Sequence, residues 1–327
     1  MKYGRKLAVA AITLAALSAA ACSSGDTSGG DSSGDSDELS IALVSKGFQH
    51  QFWQAVKQGA EEKAAELGVT ITFDGPASET EVDAQLQMLQ TAIDKKPIAI
   101  GYAALDPEAC ISLYEKAEAA DIPIVEFDAP CNSEYSQNLS ATDSNVAGAI
   151  AAEHMAELIG GKGEVAVVGH SQINSTGVDR RDGFVNKIEA DYPDIKIVDI
   201  QYGDGDHLKS ADIAKAIIAA NPGLDGLYGT NEGSAIGIVN AVTELGLEPG
   251  ELVIIGFDSG AAQINAIKSG VMAGAITQDP IGIGKSVVQA AYDAYMGETL
   301  EPFTDTGSFW YDANNIDDAK IAAVLYQ

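Results

Sequence analysis

A series of short stretches in this chain carries side chains suited to recognising a polyhydroxylated molecule. Lys46, His50, Phe52 and Trp53 crowd into "SKGFQHQFW". Asp128 follows "IPIVEF", Arg180 lies in "RRDGF", Asn231 follows "GLYGT", Asp258 follows "LVIIGF" and Gln278 follows "VMAGAIT". Most of these are planar polar groups with paired donors or acceptors, each able to bond two neighbouring hydroxyls. The aromatic rings offer flat apolar faces to the C–H side of a sugar ring. Phe52 and Trp53 are adjacent, and adjacent helical positions point about 100° apart. One ring is therefore expected under the sheet end and the other along the site, with the sequence leaving open which is which. Each polar residue also has a purely structural reading. Asp128 and Asp258 suit turns or helix N-caps, Asn231 suits the cap of a helix starting near Gly233, and Arg180 could pair with Asp179 or Asp182. Their recurrence at successive strand ends favours binding.

The elements that would position them alternate. Strand-like runs are "LSIALV", "VTITF", "IAIGYA" and "IPIVEF", then "EVAVVG", "IKIVDIQ", "GLYGT", "LVIIGF" and "VMAGAIT". Helical patterns fall between them, at about 51–67, 79–94, 107–120, 145–159, 176–191, 208–220, 233–245 and 261–268. Continuous apolar strands alternating with helices indicate α/β architecture with parallel sheets covered on both faces. The strands exceed one ordinary sheet, so two doubly wound lobes are expected, with ligands beyond the carboxyl ends of the strands.

At the N-terminus, Lys2, Arg5 and Lys6 precede an apolar run from Leu7 to Leu17 and the small residues "SAAAC" ending at Cys22. This pattern is a secretory signal peptide over residues 1–21. It resembles a bacterial lipoprotein signal, in which Cys22 carries lipid, although Ala19 stands where leucine is usual. Residues 22–38, rich in Ser, Gly and Asp, are expected to be a flexible tether. The expected location is extracytoplasmic, anchored to the cell membrane through lipid.

The 327 residues carry a formal net charge of −29, with 46% hydrophobic and 6% aromatic residues. Such acidity repels nucleic-acid phosphates and keeps the chain soluble, so no nucleic-acid partner is expected. No Walker loop or HExxH motif is present, and no GxSxG sits at a strand-to-helix elbow. Asp128 with Asp258 as paired glycosidase carboxylates is the enzymatic alternative. "DGDH" at 204–207 lacks the spacing of a calcium loop, and "GGKG" at 160–163 reads as a helix end and turn.

The chemistry-bearing residues lie in phrases that resemble the periplasmic sugar-binding proteins of the ribose-binding type, the receptors of bacterial ABC importers. These are "FWQAVKQGAEEKAAELGV", "IPIVEFD", "RRDGF", "GLYGTNEGSAIGIVNA", "VIIGFD" and "MAGAITQDPIGIGKSVVQAA", in order across residues 39–327. The resemblance implies a type I periplasmic binding protein fold, two lobes joined by a three-strand hinge that closes around a ligand. The lobes would comprise 39–141 with 280–306, and 142–279 with 307–327. It further implies a monosaccharide or polyol ligand, a membrane permease as partner, a monomer, and neither cofactor, metal nor catalysis. By motif, Phe52 and Trp53 match the stacking pair. Lys46 and His50 match polar ligand positions, and Asp128, Arg180, Asn231, Asp258 and Gln278 match the remaining polar set. Ala129 replaces a frequent arginine and Gly205 a further aromatic, so the ligand is not expected to be held as ribose is. "TFDGPASE", the early lysine and the cysteines are also similar to the autoinducer-2 and rhamnose receptors, the alternative ligand class. A sensory role through a membrane kinase is compatible with the same fold.

Cys110 and Cys131 are expected to form a disulfide. Both follow strands of one βαβ unit, beyond the carboxyl ends of parallel neighbours roughly 4.8 Å apart, and export supplies an oxidising compartment.

Overall fold

The computed structural model describes residues 39–326, so the expected signal peptide, Cys22 and the expected tether lie outside the described residues. The first half runs β1 (Ser40–Val44), α1 (Gln51–Leu67), β2 (Thr70–Asp74), α2 (Val82–Asp94), β3 (Ala99–Tyr102), α3 (Ile111–Ala119), β4 (Ile124–Phe127) and β5 (Leu139–Ala141). The second runs α4 (Ser144–Leu158), β6 (Gly163–Gly169), α5 (Ser175–Asp191), β7 (Ile195–Tyr202), α6 (His207–Ala220), β8 (Leu224–Gly229), α7 (Glu232–Leu245), β9 (Val253–Phe257), α8 (Ala261–Lys268) and β10 (Gly274–Gln278). The chain ends with α9 (Pro280–Tyr295), β11 (Phe303–Asp305), β12 (Ser308–Asp312) and α10 (Ala319–Ala322).

Two six-stranded sheets result. The first has the order β2-β1-β3-β4-β5-β11 and the second β7-β6-β8-β9-β10-β12. The second sheet repeats the topology of the first, each with a switch point beside its first strand. All neighbours run parallel except β12, which lies antiparallel to β10. The backbone passes from one sheet to the other between β5 and α4, at the β10–α9 junction, and between β11 and β12.

Each sheet is buried on both faces, which is why its central strands read as unbroken apolar runs. One face of the first sheet packs Leu43, Val56 and Val287, and the other packs Ile100, Leu89 and Tyr114. The second sheet is covered likewise, by Ile238 and Ile254 on one face and by Met155, Phe184 and Ile255 on the other. Phe52 and Trp53 are both buried in the first core and meet edge to face, with ring centroids 4.9 Å apart. The expectation that only one could point inward is thus corrected: the first turn of α1 lies where core and strand ends meet, so both directions are covered.

Other differences are local. α2 opens at Val82, so Glu79 belongs to the preceding loop rather than to the helix. α9 is an additional long helix, started by Pro280 with the Asp279 carboxylate accepting the Gly282 N–H at 2.8 Å. α4 and α5 pack backbone to backbone: a Cβ on Gly148 would sit 2.3 Å from the Arg180 carbonyl oxygen, so only glycine there lets the helix carrying Arg180 seat this close.

Candidate functional site

Every residue singled out from the strand ends lines one cavity between the two sheets: Lys46, His50, Phe52, Trp53, Asp128, Arg180, Asn231, Asp258 and Gln278, together with Glu79 and His170. Its empty volume is about 270 Å³. The first sheet supplies Lys46 and His50 after β1, the rings at the start of α1, and Asp128 after β4. The second supplies Arg180 on α5, Asn231 after β8, Asp258 after β9 and Gln278 at the end of β10.

Asp128 and Asp258 occupy equivalent places in the two halves and share a backbone feature. Both adopt positive φ, 62° and 77°. Non-glycine residues enter this region at a cost and persist where surroundings over-determine them. Asp128 is held by the ammonium of Lys46 at 2.8 Å. Asp258 accepts Gln278 Nε2–H at 2.7 Å and the Glu232 N–H at 3.0 Å. Burial pushes the Asp258 carboxyl upward, opposed by Arg180 and by these donors. Asn231 combines both of its expected roles, since its Oδ1 caps α7 by accepting the Ser234 N–H at 2.8 Å while the side chain borders the cavity.

Arg180 is 3% exposed and lies over Phe257, its guanidinium carbon 3.7 Å from the ring centroid. It donates to the Thr230 carbonyl at 3.1 Å, and its Nε has no partner among the described residues. Neither ring nitrogen of His50 has a hydrogen-bond partner among them. Buried donors left in this condition are costly unless something else satisfies them, and here they border a cavity.

Contacts crossing the cleft explain its burial. Lys46 donates to Asn174 Oδ1 at 3.2 Å and Thr176 Oγ1 at 3.1 Å, both on the second half. Asn174 Nδ2 returns to the Ala104 carbonyl at 2.7 Å. Glu232 accepts the N–H groups of Gln51 and Phe52 at 3.2 and 3.4 Å, which places a carboxylate on the N-terminus of α1. Gln51 Oε1 reciprocates by accepting the Ala261 N–H at the start of α8 at 2.8 Å. His50 stacks on His207 at 5.8 Å.

The residues that sequence reasoning missed are Glu79, His170, Asn174 and Glu232. Glu79 follows β2 and His170 directly follows β6, so the rule of inspecting strand ends applies to both. Glu79 accepts Trp53 Nε1–H at 2.8 Å. Burial works to raise its pKa, but Lys46, His50, His170 and the indole N–H outweigh this and hold it at about 2. Burial and the charge of Lys46 push His170 down to about 3, so its imidazole is neutral. The departure at Gly205 is compensated by His50: a Cβ there would lie 3.4 Å from His50 Nε2 and 3.1 Å from Asn231 Nδ2, which leaves no room for an aromatic ring.

Residues 41–299 match the family model described as "Periplasmic binding protein domain". The chain belongs to the periplasmic binding protein family. It is a binding protein and not an enzyme, and the glycosidase reading of Asp128 and Asp258 falls away. The D-allose-binding periplasmic protein of Escherichia coli strain K12 is 26% identical over 276 residues, covering 82% of this chain and 88% of the relative. Among solved structures, a carbohydrate transporter solute binding protein from Agrobacterium radiobacter in complex with D-arabinose superposes with a TM-score of 0.85 at 30% identity, over 88% of this chain and 99% of that one. An ABC transporter solute binding protein from Agrobacterium vitis with bound D-fucose gives 0.84 at 32% identity, over 88% and 100%. Among the described residues no helix is long and apolar enough to cross a membrane, and no His, Cys, Asp or Glu cluster is arranged to hold a metal ion. Asp204 and Asp206 of "DGDH" are engaged locally, by Lys209 Nζ and by the Lys209 N–H.

Cys110 and Cys131 form a disulfide with a Cα separation of 6.1 Å, joining the start of α3 to the loop that carries Asp128.

Proposed function

We propose that this protein is the extracytoplasmic receptor of an ABC sugar importer, binding a monosaccharide or polyol between its halves and delivering it to a membrane permease. The observation that carries this reading is the convergence of Lys46, Asp128, Arg180, Asn231, Asp258 and Gln278 from both sheets on one buried, polar, aromatic-flanked cavity. Charge defines the ligand class further. Two fixed cations, Lys46 and Arg180, face the carboxylates of Glu79, Asp128 and Asp258. A sugar acid or phosphate would meet an excess of negative charge there, whereas a neutral polyhydroxylated ligand meets alternating donors and acceptors. The ligand contacts are among the residues lining the cavity: Lys46, His50, Phe52, Trp53, Asp128, Arg180, Asn231, Asp258 and Gln278.

In this reading 39–141 with 280–306, and 142–279 with 307–327, are lobes that close by a hinge. The protein acts as a monomer, is exported by residues 1–21 and is tethered to the membrane through a lipid on Cys22. Relatives that carry D-arabinose or D-fucose support the sugar class. A thermal-shift panel of pentoses, hexoses, polyols, sugar acids and sugar phosphates tests the reading. Binding to the folded state alone raises Tm by mass action, so at least one neutral sugar or polyol stabilises the protein and the anionic ones do not. Stabilisation by anionic ligands alone would refute it.

A further inference from the structure

Glu79 and His170 line a second, outer cavity as well as the inner one. This outer cavity has an empty volume of about 800 Å³ and is bordered also by Thr80, Leu105, Ser171 and Asp204. Glu79 comes from the first half, in the loop after β2, and His170 from the second, at the end of β6. Both residues line both cavities, so the wall shared by the two is built from one side chain of each half. Their bonding capacities differ and are only partly used. One oxygen of Glu79 takes the Trp53 indole N–H. The His170 backbone N–H donates to Thr230 Oγ1 at 2.9 Å, but its Nδ1 finds no partner among the described residues although the residue is 3% exposed.

Resting on the sugar-receptor reading above, we propose that Glu79 and His170 are specificity residues that read a hydroxyl on the ligand's exocyclic carbon. The ring hydroxyls are attached directly to the ring and fall to the other polar groups lining the inner cavity. The substituent that projects furthest needs room, and the larger cavity that shares Glu79 and His170 with the inner one lies on that side. An ionised carboxylate only accepts, and a neutral imidazole offers one donor and one acceptor. A single hydroxyl placed between them donates to Glu79 and accepts from the N–H of His170, which uses both of its capacities. A site built to bond a hydroxyl discriminates strongly against the analogue lacking it, because its buried groups are then left unpaired. The ligand class favoured is a hexose bearing a free hydroxymethyl group, over the matching pentose or 6-deoxy sugar.

Titration calorimetry on two matched series tests this: D-ribose with D-allose, and L-arabinose with D-fucose and D-galactose. Within the series that binds, the hydroxymethyl sugar is expected to bind at least tenfold tighter than its partners. Glu79→Gln and His170→Gln are each expected to reduce that preference to threefold or less, while affinity for the pentose stays within threefold. Glu79→Ala provides a second variant at the same place, and each variant's Tm without ligand checks that it folds. A wild type that prefers the pentose, or variants that weaken all members of a series equally or leave them unchanged, would overturn the proposal and leave the receptor reading intact. A wild type that binds none of these five sugars would overturn the proposal, and the receptor reading would then be decided separately by the wider thermal-shift panel.

Discussion

The ammonium of Lys46 lies 2.8 Å from the carboxylate of Asp128, and the same ammonium donates across the cleft to Asn174 and Thr176. Both charged residues are buried, at 3% and 5% exposure. One side chain thus orders the first half of the cavity and ties it to the second. Removing it leaves Asp128 as an uncompensated buried charge, a change that typically costs about 3–5 kcal/mol. Lys46→Met is therefore expected to weaken sugar binding by more than a hundredfold, read by calorimetry. Retention of wild-type affinity would show that the ion pair is only structural.

Arg180→Ala removes the guanidinium that stacks on Phe257 and holds the Thr230 carbonyl. Binding should fall by about 2–4 kcal/mol, because ligand and protein groups are left unpaired in a dry cleft. The Tm without ligand should fall far less. Equal loss in both measurements would assign Arg180 to the core rather than to the ligand.

Glu232 does not line the inner cavity, yet it caps α1 from the opposite half through Gln51 and Phe52. Glu232→Gln keeps the shape but loses the charge facing the helix N-terminus, an interaction worth about 0.3–1 kcal/mol when exposed and up to ~2 when buried. Stopped-flow measurements should show faster ligand release, by roughly threefold to tenfold, with little change in sugar preference. An unchanged release rate would remove Glu232 from the closure mechanism.

Glu126, 4% exposed beneath the Asp128 loop, accepts the Tyr114 hydroxyl at 2.9 Å and the Cys131 N–H at 2.7 Å. Burial raises its pKa from 4.5 to about 7. The folded state therefore binds the proton more tightly than the unfolded chain, and stability contributed by protonated Glu126 is full below pH 4.5 and lost as pH rises through 7. The loss amounts to about 3 kcal/mol at most. Glu126→Gln keeps an acceptor for the Cys131 N–H and should flatten this dependence, raising Tm at pH 8 relative to wild type more than at pH 5. A variant that loses the same Tm at both pH values would contradict this.

The Cys110–Cys131 disulfide closes a segment with a sequence separation of 21. Such a loop stabilises by about 3 kcal/mol in the chain-entropy model. Unfolded, unreduced protein lacking Cys22 should show no free thiol, and reduction should lower both Tm and sugar affinity, since the bridge anchors the loop carrying Asp128. Two free thiols would refute it.

Much of the fold could be read from the chain because doubly covered parallel strands appear as continuous apolar runs, as in "IAIGYA" and "LVIIGF". α9 escaped the list of expected helices because Gly282 and Gly284 interrupt the start of its apolar stripe. β11 was equally hidden, being three exposed residues defined by pairing with β5 rather than by its own pattern. The cavity-lining set was legible because topology places strand ends together. The positive φ of Asp128 and Asp258 and the reach of Lys46 to Asn174 depend on tertiary geometry with no local signature. Asn231 shows how two readings can coincide, as cap and as cavity wall.

The central claim is that a sugar is held among residues from both sheets. A crystal structure of the protein grown with the tightest-binding sugar of the panel tests it most directly. The account predicts a sugar ring beside Phe52 and Trp53, with hydroxyls in hydrogen-bond contact with Asp128 from one half and Arg180, Asn231 and Asp258 from the other. A sugar bound on an outer face, with that cavity untouched, would contradict it.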